Sequence, residues 1–162
     1  MTPLALATGG AIPNNPLPAL VARSALDAPG ADAVMALFSA NGWQGLWEYT
    51  VFDFHHFHPN VHEVLAVVEG RARLILGGPG GETLDVGPGD VLLLPPGTGH
   101  CRDAAGDGFS VVGGYPPGAG PVETLRALPD DGGATLRRIA EVPRPAADPL
   151  YGAGRPLLAA WG

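Results

Sequence analysis

Lysine is absent from this chain, and all nine of its basic side chains are arginine. A Schiff-base lysine and a phosphate-loop lysine are therefore excluded outright. Cysteine is almost absent too. Cys101 stands alone, so no disulfide forms within the chain, which suits a reducing cytosol. Charge is sparse, at 15% of residues, and the balance is acidic, with a net charge of −7 and a pI near 5.0. Nucleic acid and anionic membrane surfaces are poor partners for such a chain. No apolar run approaches the length needed to span a bilayer. The first ten residues, Met1 to Gly10, lack the positive charge that opens a signal peptide. A cytoplasmic protein is the expectation.

What the chain has in quantity is glycine and proline, 25 and 18 of its 162 residues. They sit at turn-like positions between apolar runs rather than in low-complexity tracts. The length is that of one domain with a real core. Pro13, Pro16 and Pro18 keep residues 1–18 out of a helix and predict an extended arm. Leu17 to Arg23 reads as an edge strand. Val34, Met35, Leu37 and Phe38 are close to helical spacing, so a short helix is predicted from Asp32 to Ala40, capped by Asp32 and ended by Asn41-Gly42. Trp43 and Trp47 read as packing residues.

From Leu46 onward the pattern is β. Strands are predicted over Val51–His58, His62–Val68, Arg71–Leu76, Thr83–Val86, Val91–Leu94 and Phe109–Tyr115, with Gly- and Pro-rich turns between them. Short strands at regular spacing read as an all-β sandwich or barrel. Gly133 to Val142 could form one short helix. Leu157, Leu158 and Trp161 are too apolar for a free terminus, so the tail is expected to dock on the barrel or on a second subunit.

All five histidines lie between His55 and His100. His56 and His58 are two apart, and a strand would turn both to one face. Pro59-Asn60 breaks that strand and lets the chain return with Glu63 beside the pair. Imidazole nitrogen and carboxylate oxygen are ligands for Zn, Ni, Fe and Mn alike. Alternation points His62 and His55 away from His56 and Glu63, with His62 as a supporting or outer-face residue. An irregular turn after Pro59 would let His62 replace Glu63. Cys101, next to His100, should face away as well.

His56, His58, Glu63 and Gly70 match the first motif of the cupins in every spacing. Gly89, Pro95, Gly97 and His100 match the second. Thr50 and Ala104 stand where the family often has Gly and Asn, and neither is a ligand position. The chain thus resembles a cupin over about residues 46–116. His62, the segment Asn41-Gly42-Trp43 and the ending Asp148-Pro149-Leu150-Tyr151-Gly152 resemble a small branch of single-domain bacterial cupins. The resemblance implies a double-stranded β-helix barrel of jelly-roll type over residues 46–116. An N-terminal arm with a short helix (1–45) precedes it, and a C-terminal extension (117–162) follows. It also implies one divalent metal ion (Fe, Mn, Ni or Zn) held by His56, His58, Glu63 and His100. Metal-dependent small-molecule chemistry of dioxygenase or isomerase type follows from that, or else non-catalytic binding of a small molecule or metal. Glu48, Asp53, His62 and Tyr115 are the remaining acid–base candidates. A homodimer is expected, because the arm, the tail and a sheet edge all need cover.

Overall fold

In the computed structural model, which describes residues 1–27, 29–154 and 156–162, nine strands form two antiparallel sheets. The strands are β1 (Thr2–Leu4), β2 (Ala19–Ala22), β3 (Gln44–Tyr49), β4 (Glu63–Glu69), β5 (Ala72–Leu76), β6 (Glu82–Val86), β7 (Val91–Leu94), β8 (His100–Ala105) and β9 (Ser110–Tyr115). The larger sheet runs β1-β2-β7-β4-β9-β3, and the smaller runs β6-β5-β8. Two helices, α1 (Ala31–Ala40) and α2 (Ala134–Glu141), and a terminal 3-10 turn (Leu158–Trp161) complete it. This is an all-β jelly roll with short helices at its flanks. Among the described residues no helix is long and apolar enough to cross a membrane.

The central strands of the larger sheet are buried on both faces, and side-chain parity sorts their residues between two cores. Leu65, Val67, Leu92, Leu94 and Val111 face the smaller sheet and meet Leu74, Leu76 and Val86 there. Their neighbours Val64, Ala66, Val91, Leu93 and Val112 face outward, where Val34 and Phe38 of α1, with Leu157, Leu158 and Trp161, cover them. The apolar tail therefore docks on its own chain. Double burial also explains why β4 and β7 read as nearly continuous apolar runs rather than as clean alternation.

Three sequence expectations are corrected. Ala19–Ala22 is not an edge strand, because Thr2–Leu4 pairs along its free side and β7 along the other. Asp32 does not cap α1. It lies inside the first turn, where its charge still favours the helix dipole, while Gly30 occupies the cap. The third correction concerns Val51–His58, which is not a regular strand. It runs beside β8 through isolated bonds only. Arg102 N–H donates to Phe52 O, and His56 and His100 exchange both of their backbone bonds. The four steps from Phe52 to His56 thus face the two from His100 to Arg102. The excess residues bulge out and break the ladder.

The motif glycines have steric reasons. Gly70 turns β4 into β5 at φ 70°, and a Cβ there would lie 2.8 Å from Phe109 Cα. Gly97 sits at φ 85°, 2.7 Å from Asn14 O by the same construction. Asn14 is the hub of that loop. Its N–H donates to Gly97 O, its Oδ1 accepts from Gly99 N–H, and its Nδ2 donates to Ala7 O and Gly77 O. The arm thereby holds the loop that presents His100.

Candidate metal centre

Sheet topology delivers the four candidate ligands from three directions. Glu63 opens β4 on the inner face, in phase with Leu65 and Val67. His100 opens β8 after the Asn14-braced loop. His56 and His58 come from the bulged segment between them. One ring nitrogen from each of His56, His58 and His100 lies within 4.8 Å of the others. Glu63 Oε2 lies 3.3 Å from His58 Nε2 and 3.1 Å from His100 Nε2. All four side chains are buried.

The outer nitrogens of the three rings are all engaged. His56 Nδ1 donates to Phe54 O (2.9 Å), His58 Nδ1 to Glu123 O (2.8 Å) and His100 Nδ1 to Thr98 O (3.0 Å). A carbonyl can only accept, so each Nδ1 carries a proton and Nε2 is the nitrogen each ring turns inward. Glu63 adds a carboxylate oxygen that has no aligned donor. The three inward nitrogens, and the Glu63 carboxylate beside two of them, thus crowd acceptors together in a buried place, an arrangement that positive charge between them would relieve.

The electrostatics agree. Burial, and then His100, push the His56 pKa down to about 3. Burial works against a charge on His58, but the Glu63 carboxylate outweighs it and raises that pKa. Burial likewise opposes ionisation of Glu63, yet His58 and His100 hold its pKa well below the usual carboxylate range. A proton shared by Glu63 and His58 meets part of the need for positive charge. A divalent cation would meet all of it. The residues present fit a metal ion.

Above the cluster opens a cavity of about 380 Å³, walled by Trp47, Val51, Phe52, Leu65 and Val122 and reaching Glu63 and the three histidines. Tyr115 ties this wall to the cluster. Its hydroxyl accepts from Trp47 Nε1 (2.9 Å) and donates to Glu63 Oε1 (3.4 Å). Burial and the Glu63 charge raise the Tyr115 pKa, so the phenol stays protonated and keeps donating. Removing that donor leaves Glu63 free to rotate. Tyr115→Phe is expected to weaken metal binding roughly tenfold without unfolding the protein, the size found for groups that orient a ligand. Isothermal titration with Zn(II) and Mn(II) measures it, and unchanged affinity would remove Tyr115 from the site.

The other acid–base candidates lie elsewhere. Glu48 is exposed on β3 and accepts from Ser110 Oγ. Asp53 is exposed on the bulge. His62 precedes Glu63, lies on the other side of the larger sheet beside Trp161 (5.2 Å between rings), and takes no part in the cluster. Burial, and then Arg144, lower its pKa to about 4, so it is neutral. Cys101 is buried on β8 of the smaller sheet and does not line the cavity. Sequence reasoning missed Glu123 and Thr124. The chain passes them beside His58, where Thr124 Oγ1 lies 3.2 Å from Nδ1, and nothing local to residues 117–125 signals this.

Two facing antiparallel sheets with a histidine cluster between them define a class, and the comparisons name it. The model of the cupin domain matches residues 46–112. The uncharacterised protein YjlB of Bacillus subtilis is 33% identical over 153 residues, covering 94% of this chain and 91% of its own. The chain belongs to the cupins. Among solved structures, the acireductone dioxygenase of Bacillus anthracis, with a cadmium ion in its active centre, shares 18% identity at a TM-score of 0.36. That match covers 52% of this chain and 57% of the enzyme. Salicylate 1,2-dioxygenase of Pseudoaminobacter salicylatoxidans, in an adduct with gentisate, shares 15% at a TM-score of 0.33, over 43% of this chain and 18% of its own. The chain thus spans only part of either dioxygenase.

Proposed function

We propose that this cupin is a metal-dependent enzyme acting on a small oxygen-bearing molecule, with His56, His58, Glu63 and His100 as ligands to one divalent ion. The observation that carries the reading is the hydrogen bonding of all three Nδ1 atoms to carbonyls, which leaves the three Nε2 atoms for an ion, two of them beside a Glu63 carboxylate oxygen. Three imidazoles and one carboxylate suit Fe, Mn, Ni or Zn and leave coordination positions for a substrate. The ion would polarise a substrate oxygen or supply redox chemistry, as dioxygenase or isomerase activity requires.

The chain's own residues do the rest. Phe52, Leu65 and Val122 receive the apolar body of a substrate and exclude water. Tyr115 holds Glu63. Among the described lining residues, Tyr115 and Tyr49 are the only titratable groups outside the ligand set, which favours chemistry centred on the ion over side-chain proton transfer. The proposal includes a homodimer, since β1 and β3 are free sheet edges; light scattering that gives a monomer would remove that part.

Elemental analysis of the purified protein, followed by reconstitution with Fe(II), Mn(II), Ni(II) or Zn(II), is the test. One ion per chain is expected, lost in His56→Ala and His100→Ala. Oxygen uptake or product formation from a panel of small hydroxy and keto compounds then identifies the enzyme. A folded protein that binds none of these ions tightly would sink the metal site. Tight metal and ligand retention without turnover would establish a binding protein instead.

A further inference from the structure

Between the N-terminal arm and α2 lies a second cavity, of about 550 Å³. Its walls are mainly apolar, with Leu17, Ile139 and Val142 among them, and its two ionisable residues are His62 and Arg144. The same two also line an adjoining cavity of about 380 Å³ beneath residues 116–120. His62 is 1% exposed, yet neither Nδ1 nor Nε2 has a hydrogen-bond partner among the described residues. A buried imidazole carries one donor and one acceptor, and groups of this sort in native proteins are paired. Asn14 and Asn15 use their amide groups on backbone partners. Arg144 donates from Nη1 to Trp161 O and Gly162 O, and no bond from its Nε or Nη2 is recorded among the described residues.

We propose that this cavity is a second ligand site, which takes a small apolar carboxylic acid with its head group between His62 and Arg144. The imidazole N–H and the guanidinium are both donors, so together they select an anionic acceptor. The apolar walls select a hydrocarbon body over a sugar or a nucleotide. The volume accommodates a chain of several carbons. The site is separate from the metal cluster, because parity sends Glu63 to the inner face and His62 to the outer.

Binding of hexanoate, 2-hydroxyhexanoate and hexan-1-ol to the metal-loaded full chain tests it, by titration calorimetry and by the imidazole nitrogen shifts of His62. Both acids are expected to bind more tightly than the alcohol, with His62 shifts moving on binding. His62→Leu and Arg144→Met should each weaken acid binding at least tenfold while metal content by elemental analysis stays unchanged. Two separate variants guard against a folding failure in either, with circular dichroism as control. The proposal falls if none of the three binds at millimolar concentration. It falls also if both variants bind as the parent does, or if a crystal structure with the acid finds only water at His62. Binding abolished by His56→Ala instead would assign the acid to the metal cavity and overturn the second site.

Discussion

Glu63→Ala is expected to lose metal affinity by more than about a hundredfold, beyond the range found for residues that merely support a ligand. His62→Ala, one residue away, is expected to change it by less than about tenfold. The contrast follows from geometry. Glu63 Oε2 stands 3.1 and 3.3 Å from two bare ring nitrogens, whereas His62 lies against Trp161 on the opposite side of the sheet. Glu63 is also the only anion in the cluster. Its loss removes a ligand and the charge that offsets a divalent cation in a buried site. Glu63→Gln keeps the shape and loses the charge, so it separates the two contributions and should fall between Ala and the parent. The fold should survive all three substitutions, because the inner core of Leu65, Val67, Leu74, Leu92 and Val111 does not depend on the ion. Metal titration with circular dichroism as the folding control reads the result. Full affinity in Glu63→Ala with loss in His62→Ala would mean a site of four histidines.

That Glu63 turns inward and His62 outward was legible in the sequence, because it rests on strand parity and on motif spacing, both local properties. Glu63, Leu65 and Val67 alternate inward as the pattern requires. The bulge between Phe52 and His56 was not legible. Val51–His58 has the composition of a strand, and only its register against β8 shows the excess residues. Even so, Phe52, Phe54, His56 and His58 stay on one side, their rings in sequential contact. His56 and His58 therefore converge although the predicted strand does not form. The edge position assigned to Leu17–Arg23 failed for a different reason. Thr2–Leu4 is too short to announce itself, and it is defined by the partner it finds. The carbonyls that orient the three rings come from turns and from residue 123, contacts with no signature in residue type.

Asn41-Gly42-Trp43 and Asp148-Pro149-Leu150-Tyr151-Gly152 are two further sequence features whose purpose emerges only together. Asn41 Nδ2 donates to Pro149 O (2.8 Å) and Trp43 Nε1 to Ala147 O (3.0 Å). The end of α1 thus grips the start of the C-terminal strap. The strap in turn covers the outer core through Leu150, Leu157, Leu158 and Trp161. Trp161 Nε1 reaches Pro18 O on the other side, so the strap closes over the sheet from both ends. These residues serve assembly of the fold, and they stand apart from the metal chemistry.

Asp148 is the residue on which that strap depends most, and Asp148→Ala should carry the largest stability loss of any single change outside the inner core. Its side chain is 0% exposed. Oδ1 accepts from Leu150 N–H (2.8 Å) and Tyr151 N–H (3.2 Å), and Oδ2 accepts from Leu157 N–H (2.8 Å). Hydrogen bonds to a charged group contribute about 1.5–3 kcal/mol each, and they do not add fully. Alanine leaves three backbone donors without a partner, two of them buried, so a loss of about 3–5 kcal/mol is expected. For a chain of this size that is a fall of about 6–20 °C in melting temperature. Asp148→Asn keeps one accepting oxygen and should lose about half as much. Metal content should not change in either variant, since the strap lies on the outer face. Thermal unfolding followed by circular dichroism, beside elemental analysis, checks both parts. Melting of Asp148→Ala within about 2 °C of the parent would show that the strap holds by apolar contact alone.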